Sequence, residues 1–284
     1  MPVYNGEMYI ADSIQSVLKQ TFGDFELIIS DNTSQDGTEE ICRSFAAGDA
    51  RIRYVRNDQN IGAAANYNQL FELARGRYFR WSNADDLIAP ELHEMCVGVL
   101  DDNPEAVLAY GKTEIIDGTG KKLRPYDDNL HLPQASANER FRKFFDQVGL
   151  TNVIYGLMRT SAVGRTKVFG DGTLPAADIG FMAEMTLHGT FLEIPRVLFY
   201  RRMHEEASSA DRQDDERQQY FWRAESTPFR LPALRQAMRY VRAVWASGNA
   251  VPEKARLSAF LLRQLVWQRS DIAAEFMTLL PRRR

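Results

Sequence analysis

"FELIISDNTSQDGTEEICRSFAA", residues 25–47, joins a short apolar run to a polar turn and then to a helical pattern. Leu27, Ile28 and Ile29 are consecutive, as in a buried strand, and the run ends in Asp31 and Asn32. Before it, Ile10, Ile14, Val17 and Leu18 recur at helical spacing and make one apolar stripe. The cycle repeats downstream. "IRYV" at 52–55 reads as a strand, "IGAAANYNQLFELA" at 61–74 as a helix and "YFRW" at 78–81 as a strand. A helix from about Pro90 to Asp101 and a strand "AVLAY" at 106–110 continue it. Such alternation implies an α/β fold whose mainly parallel sheet is flanked by helices.

Beyond this, "DGTGKKLRPYDDNLHLPQASA" at 117–137 is rich in turn formers and charges and is expected to be a surface excursion. "NVIYGLMR" at 152–159 and "TFLEIPRVLFYRR" at 190–202 read as strands around a helix that contains "DIGFMAEMTLHG". Leu234, Met238, Val241 and Trp245, then Leu257, Phe260, Leu261 and Leu265, mark two C-terminal amphipathic helices. The expected organisation is a half over 1–110, a second half of the same domain over 111–227, and a basic helical extension over 228–284.

Hydrophobic residues are 44% and charged residues 26% of the 284, an ordinary balance that excludes collagen-like and disordered classes. Cys42 and Cys96 have no close partner spacing, which excludes a disulfide framework and a thiolate zinc site and suits a reducing compartment. The net charge of −3 excludes bulk attraction to nucleic acid. From Pro228 onward, however, eleven Lys and Arg face three acids, a local net of +8, so the first 227 residues carry −11. No apolar run reaches the roughly 18 residues of a membrane span, and the first turns lack a signal-peptide core. A cytoplasmic location is expected. Arg239, Arg242, Arg263 and Arg269 on the closing helices suggest either peripheral contact with the anionic inner face of a membrane or the solvated faces of packed helices.

In open α/β sheets ligands bind beyond the carboxyl ends of the strands, and three polar clusters lie there. In the first, Asp31 and Asn32 precede Ser34, Asp36 and Thr38, which suit helix capping, and the earlier pair suits contact with a base edge. In the second, "WSNADDLIAP" at 81–90, Asp85 and Asp86 follow a strand, where two adjacent carboxylates need a hard divalent cation or a set of donors. In the third, Asp178 precedes the apolar stripe of Phe181, Met182 and Met185, where an N-cap is the plain reading.

The order of these clusters resembles the family 2 glycosyltransferases. "MPVYNGEMYIADSIQSVLKQTFGDFELIISDNTSQDGT", "NIGAAANYNQLFELARGRYFRWSNADD" and "ADIGFMAEMTLHGTFLEIPRVLFYRRMHEEASS" carry the resemblance, which covers 2–110 and, more loosely, 150–209. It implies the Rossmann-like GT-A fold and transfer of a sugar from a nucleoside-diphosphate donor, linked to UDP, GDP or dTDP, to a carbohydrate or lipid-linked hydroxyl in glycan or cell-envelope polysaccharide biosynthesis. Mg²⁺ or Mn²⁺ is the implied cofactor. Tyr4 matches an aromatic position near the nucleobase, and Asp31 and Asn32 match an acidic pair that contacts base and ribose. Asn83, Asp85 and Asp86 match the Asp-x-Asp-type metal motif, with Asn83 where a first carboxylate is common. Asp178 matches the catalytic base, preceded here by Ala177 in place of an acid. His204 of "YRRMH" matches a histidine that approaches metal or diphosphate. The Gln-x-x-Arg-Trp segment of processive members is absent, so transfer of single sugars by one inverting displacement is expected.

The family pattern has a whole strand before "PVYN", and an upstream start is the expectation that follows. Two other readings stand beside the enzyme. Asn83 and Ala177 suit a nucleotide-sugar-binding protein without turnover, and the α/β core suits a nucleotidyltransferase, although its glycine-rich basic phosphate loop is not visible.

Overall fold

In the computed structural model, which describes residues 1–170, 176–204 and 232–267, the apolar run at 27–31 is a strand buried along its whole length. This strand, β2 (Leu27–Asp31), is the middle of a three-stranded parallel sheet between β1 (Pro2–Val3) and β3 (Ile52–Arg56). Helices α1 (Ile10–Leu18), α2 (Thr38–Gly48), α3 (Ala63–Leu73) and α4 (Leu92–Asp102) complete the alternation. The stripe on α1 buries Ile10, Ile14 and Val17. They share a core with Leu27, Ile29, Cys42 and Leu100, which is why the helix needs no side-chain cap to hold its place.

A second, six-stranded sheet is mixed. Its strands are β4 (Tyr78–Phe79), β5 (Leu87–Ile88), β6 (Ala106–Asp117), β7 (Lys122–Tyr126), β8 (Leu157–Arg159) and β9 (Thr190–Met203). The order is β4-β8-β6-β9-β5, with β7 also on β6; β6 and β9 run parallel and the other pairs antiparallel. Strand β6 extends well past the apolar segment that marked it and turns at Gly120, whose φ of +87° a side chain would resist. The turn-rich stretch at 117–137 is thus partly structured. Leu130 and Leu132 inside it are fully buried, and Leu132 exchanges both backbone hydrogen bonds with Phe191.

Helices α5 (Ala137–Gln147), α6 (Thr160–Val163), α7 (Ala177–Thr186), α8 (Pro232–Ala246) and α9 (Val251–Trp267) form the remaining layer, with a 3₁₀ turn at Asn152–Tyr155. Ser136 caps α5 by accepting a hydrogen bond from the Glu139 amide. Tyr240, Val244, Leu257 and Phe260 from the last two helices pack in one core with Phe141, Phe144 and Phe181. Arg269 lies outside the described residues. Among the described residues no helix is long and apolar enough to cross a membrane.

Candidate active site

The carboxyl end of β2 is bolted to its surroundings by polar side chains. Asp31 is fully buried, and its Oδ1 accepts from the Ser34 amide at 2.8 Å. Its Oδ2 accepts from the Tyr54 hydroxyl and from Arg56 Nη1, each at 2.6 Å. Burial, together with this bond to Asp31, raises the Tyr54 pKa. Asn32, also buried, donates to Asn60 Oδ1 at 2.7 Å and accepts from the Ile61 amide at 2.9 Å. Asn57 bridges Asn32 and Asn66, so the loop after β3 is clamped onto β2 by amide side chains.

Tyr4 stands exposed at the end of β1. Its loop is stitched to the 34–38 turn: the Asn5 amide donates to Ser34 Oγ at 2.9 Å, the Gly6 amide to Thr38 Oγ1 at 2.8 Å, and the Gly37 amide to Glu7 at 2.6 Å. Asn5 takes a left-handed φ of 51° to make this turn. Ser34 and Thr38 therefore act between loops.

The segment 81–86 leaves β4 beside a buried aromatic anchor. Trp81 packs edge-on to Phe79 and Phe181 and donates from Nε1 to the Tyr67 carbonyl at 3.2 Å. Asn83 accepts from the Tyr67 hydroxyl at 2.9 Å and donates to Asp86 Oδ2 at 2.8 Å. Asp86 turns inward, and its Oδ1 accepts from the Arg202 amide at 2.8 Å. Burial, and then the charge of Asp85, push its carboxyl well above the usual range. Asp85 turns outward, with its side chain 31% exposed, and its Oδ2 lies 3.1 Å from His204 Nε2. The structure thus brings Asn83, Asp85, Asp86 and His204 together and separates the two aspartates by environment.

Sequence reasoning missed Arg202. Its buried guanidinium donates to the carbonyls of Asp85 and Gly118 at 2.8 and 2.9 Å and lies over the Tyr9 ring at 4.7 Å. His204 approaches that ring from β9's end, with centroids 4.6 Å apart. The signal was present in "YRRMH", where a second arginine adjoins the first, yet nothing local showed which one turns inward. Tyr67 was missed as well, being hidden in a helix pattern.

Asp178 is carried by another element, in the first turn of α7, half-buried. It follows Ala176, whose φ of 52° is left-handed, and residues 171–175 before it lie outside the described ones. Its charge reaches Tyr240 on α8, a phenol that burial pushes up to about 12.

The residues present fit a divalent ion in a limited way. Asp85 offers a hard carboxylate oxygen and His204 an imidazole nitrogen at the same spot, whereas both oxygens of Asp86 already accept hydrogen bonds. Among the described residues no group of three or more His, Cys, Asp or Glu is placed to hold a metal. A pair of protein ligands suits an ion such as Mg²⁺ or Mn²⁺ that completes its shell with phosphate and water.

The sequence model described as "Glycosyl transferase family 2" matches residues 1–172. The chain is 41% identical over 135 residues, 47% of its length and 52% of the relative's, to the putative teichuronic acid biosynthesis glycosyltransferase TuaG of Bacillus subtilis. Over 128 residues, 44% of its length and 49% of the relative's, it is 35% identical to the UDP-Glc:alpha-D-GlcNAc-diphosphoundecaprenol beta-1,3-glucosyltransferase WfgD of Escherichia coli. The chain spans about half, or less, of the length of the curated relatives it matches. The crystal structure of S. aureus TarS in complex with UDP-GlcNAc aligns with a TM-score of 0.67 at 16% identity, covering 95% of this chain and 72% of that one. The shared architecture is the GT-A fold.

Proposed function

This chain belongs to glycosyl transferase family 2, and on that premise we propose that it moves one sugar at a time from a nucleoside-diphosphate sugar to a carbohydrate or lipid-linked hydroxyl in cell-envelope polysaccharide biosynthesis, with inversion at the anomeric carbon. The observation that carries this reading is the meeting of Asp85 and His204 at 3.1 Å, from segments 119 residues apart. The names of WfgD and of the TarS complex favour UDP as the nucleotide.

In this reading Asp85 and His204 hold Mg²⁺ or Mn²⁺, and Asn83, Asp86 and Arg202 fix the loop that presents Asp85. When bound, such an ion supplies positive charge against the diphosphate. The polar end of β2 around Asp31 and Asn32 receives the base and ribose, with the exposed Tyr4 ring beside the base. The acceptor oxygen bonds to the anomeric carbon as the carbon–diphosphate bond breaks, its electron pair leaving on the diphosphate. The acceptor's proton passes to the Asp178 carboxylate. One displacement inverts the centre.

The protein works at the cytoplasmic face of the membrane as a peripheral guest. Arg242 and Arg263 are exposed on α8 and α9, and Trp245, Leu262 and Val266 expose large apolar surface on the same helices. Arg239 takes no part, because its guanidinium is buried against Glu184 at 2.6 Å.

Thermal shift of the purified protein with UDP, GDP, dTDP and CDP, with and without Mn²⁺, tests the donor site. A metal-dependent shift with one nucleotide, lost in Asp85→Ala/His204→Ala, is the expected result. No shift with any nucleotide would overturn the assignment.

A further inference from the structure

A cavity of about 510 Å³ opens between α7, α8 and the turn at 165–170, away from the Asp85–His204 pair. Its size is that of a small-ligand pocket. Arg165, Lys167, Arg235, Arg239 and Arg242 line it, against one lining carboxylate among the described residues, Glu184. That carboxylate is already engaged: Oε1 accepts from Arg239 Nε at 2.6 Å and Oε2 from the Lys167 amide at 2.8 Å. Arg165, Lys167 and Arg242 have exposed side chains and pair with no carboxylate among the described residues. His188 sits among them neutral at physiological pH, since burial and the Arg165 charge hold its pKa down near 4. Among the described residues the cavity therefore carries more cations than carboxylates, with the side chains of Arg165, Lys167 and Arg242 making no ion pair there.

The same cavity has an apolar wall. Phe169, Ala243 and Ala246 line it, and Met238 is 44% exposed there. Cations beside a hydrocarbon wall recognise an amphiphile with an anionic head, and cations spread along one helix and the facing turn at 165–170 can meet more than one phosphate oxygen at once.

We propose that this cavity binds a diphosphate group carried on a hydrocarbon chain, and that it seats the head of a lipid-linked acceptor. The proposal deepens the glycosyltransferase reading and rests on it for the word acceptor. Helix α7 joins the two places: Glu184, on the cavity wall, and Asp178, the candidate base, are about 9 Å apart along the axis at the usual helical rise. Tyr240 on α8 senses both charges. The donor's diphosphate belongs at Asp85 and His204, so the two anionic groups would occupy separate places.

The test is calorimetric titration of the full chain, in EDTA, with inorganic pyrophosphate and with farnesyl diphosphate, alongside separate titration of UDP with Mn²⁺. We expect farnesyl diphosphate to bind about tenfold or more tightly than pyrophosphate, and Lys167→Ala/Arg242→Ala to weaken both by about tenfold. The UDP titration should be unchanged in that variant, whose altered side chains are exposed. Equal binding of the two probes would overturn the lipid part and leave a site for a free diphosphate. Absence of binding, or binding that the variant does not alter, would overturn the whole proposal. The two readings fail separately, because UDP–Mn²⁺ binding reports on Asp85 and His204 while the metal-free titrations report on the cavity.

Discussion

Asp85 and His204 meet at 3.1 Å, Oδ2 to Nε2, and beneath them Arg202 ties the same two segments together through the Asp85 carbonyl and Asp86. The contact is made by the end of β9 folding back over the loop between β4 and β5, two strands joined to the sheet by only a few residues each. The charged pair is thus built at the seam between early and late parts of the chain, and the seam is held by buried polar bonds.

His204→Ala should leave the fold intact and weaken Mn²⁺-dependent UDP binding by about tenfold or more, because one of two converging ligand atoms is lost. Asp85→Asn should do more, removing the hard anionic oxygen. Isothermal titration with and without Mn²⁺ reads both effects; equal UDP affinity in all three proteins would refute the role of the pair.

Arg202→Met should cost about 1–3 kcal/mol of stability. Two partly buried carbonyls, of Asp85 and Gly118, would lose their donor, and an unsatisfied acceptor costs about 1–3 kcal/mol when fully buried and less when water can reach it. Lys at this position should rescue little, since a point charge cannot reproduce the planar fork over Tyr9. Urea denaturation midpoints decide it, and a variant as stable as the native chain would count against the buttress.

The α/β order was legible because β2 is buried on both faces and α1 on one, so each writes its own period into the sequence. The second sheet was less legible. The strand read at 78–81 shrinks to the two residues of β4, and β5, two residues long and too short for any period, exists through Tyr200 and Phe199, which lie far along the chain. Leu130 and Leu132, two apolar residues in a polar run, could not announce that they dock on Phe191. In the site, adjacency of Asp85 and Asp86 said nothing of direction: neighbouring side chains in extended backbone point to opposite sides, and only Arg202 and Asn83 decide which carboxylate is buried.

Acid should destabilise the protein through His93, which lies on α4 against the Phe25 ring at 5.5 Å. Burial, with the Arg80 charge behind it, lowers its pKa from 6.5 to about 3. The folded state keeps the neutral ring while the unfolded chain takes a proton below about 6.5. Stability is therefore full above that pH and falls as pH drops, by at most about 1.4 kcal/mol per unit for this group, until about pH 3. His93→Gln should flatten the slope by that amount in denaturation series between pH 7.5 and 5, on roughly the scale of one proton. An unchanged slope would mean that the ring is protonated in the fold.

Asp178→Asn separates catalysis from binding. The amide keeps the size of the carboxylate and its place in the first turn of α7, so packing against α8 should persist. What it loses is the capacity to accept a proton from the attacking hydroxyl, a contribution of about 10²–10⁴-fold in rate. The proposed donor site lies on other elements, with Asp31 at the end of β2 and Asp85 before β5, and among the described residues their side-chain hydrogen bonds run to Ser34, Tyr54, Arg56 and His204. We therefore expect kcat to fall by about that factor while the UDP–Mn²⁺ affinity stays within about twofold. A variant that loses UDP affinity in proportion to rate would show that Asp178 serves the shape of the site, and the base would have to be sought elsewhere.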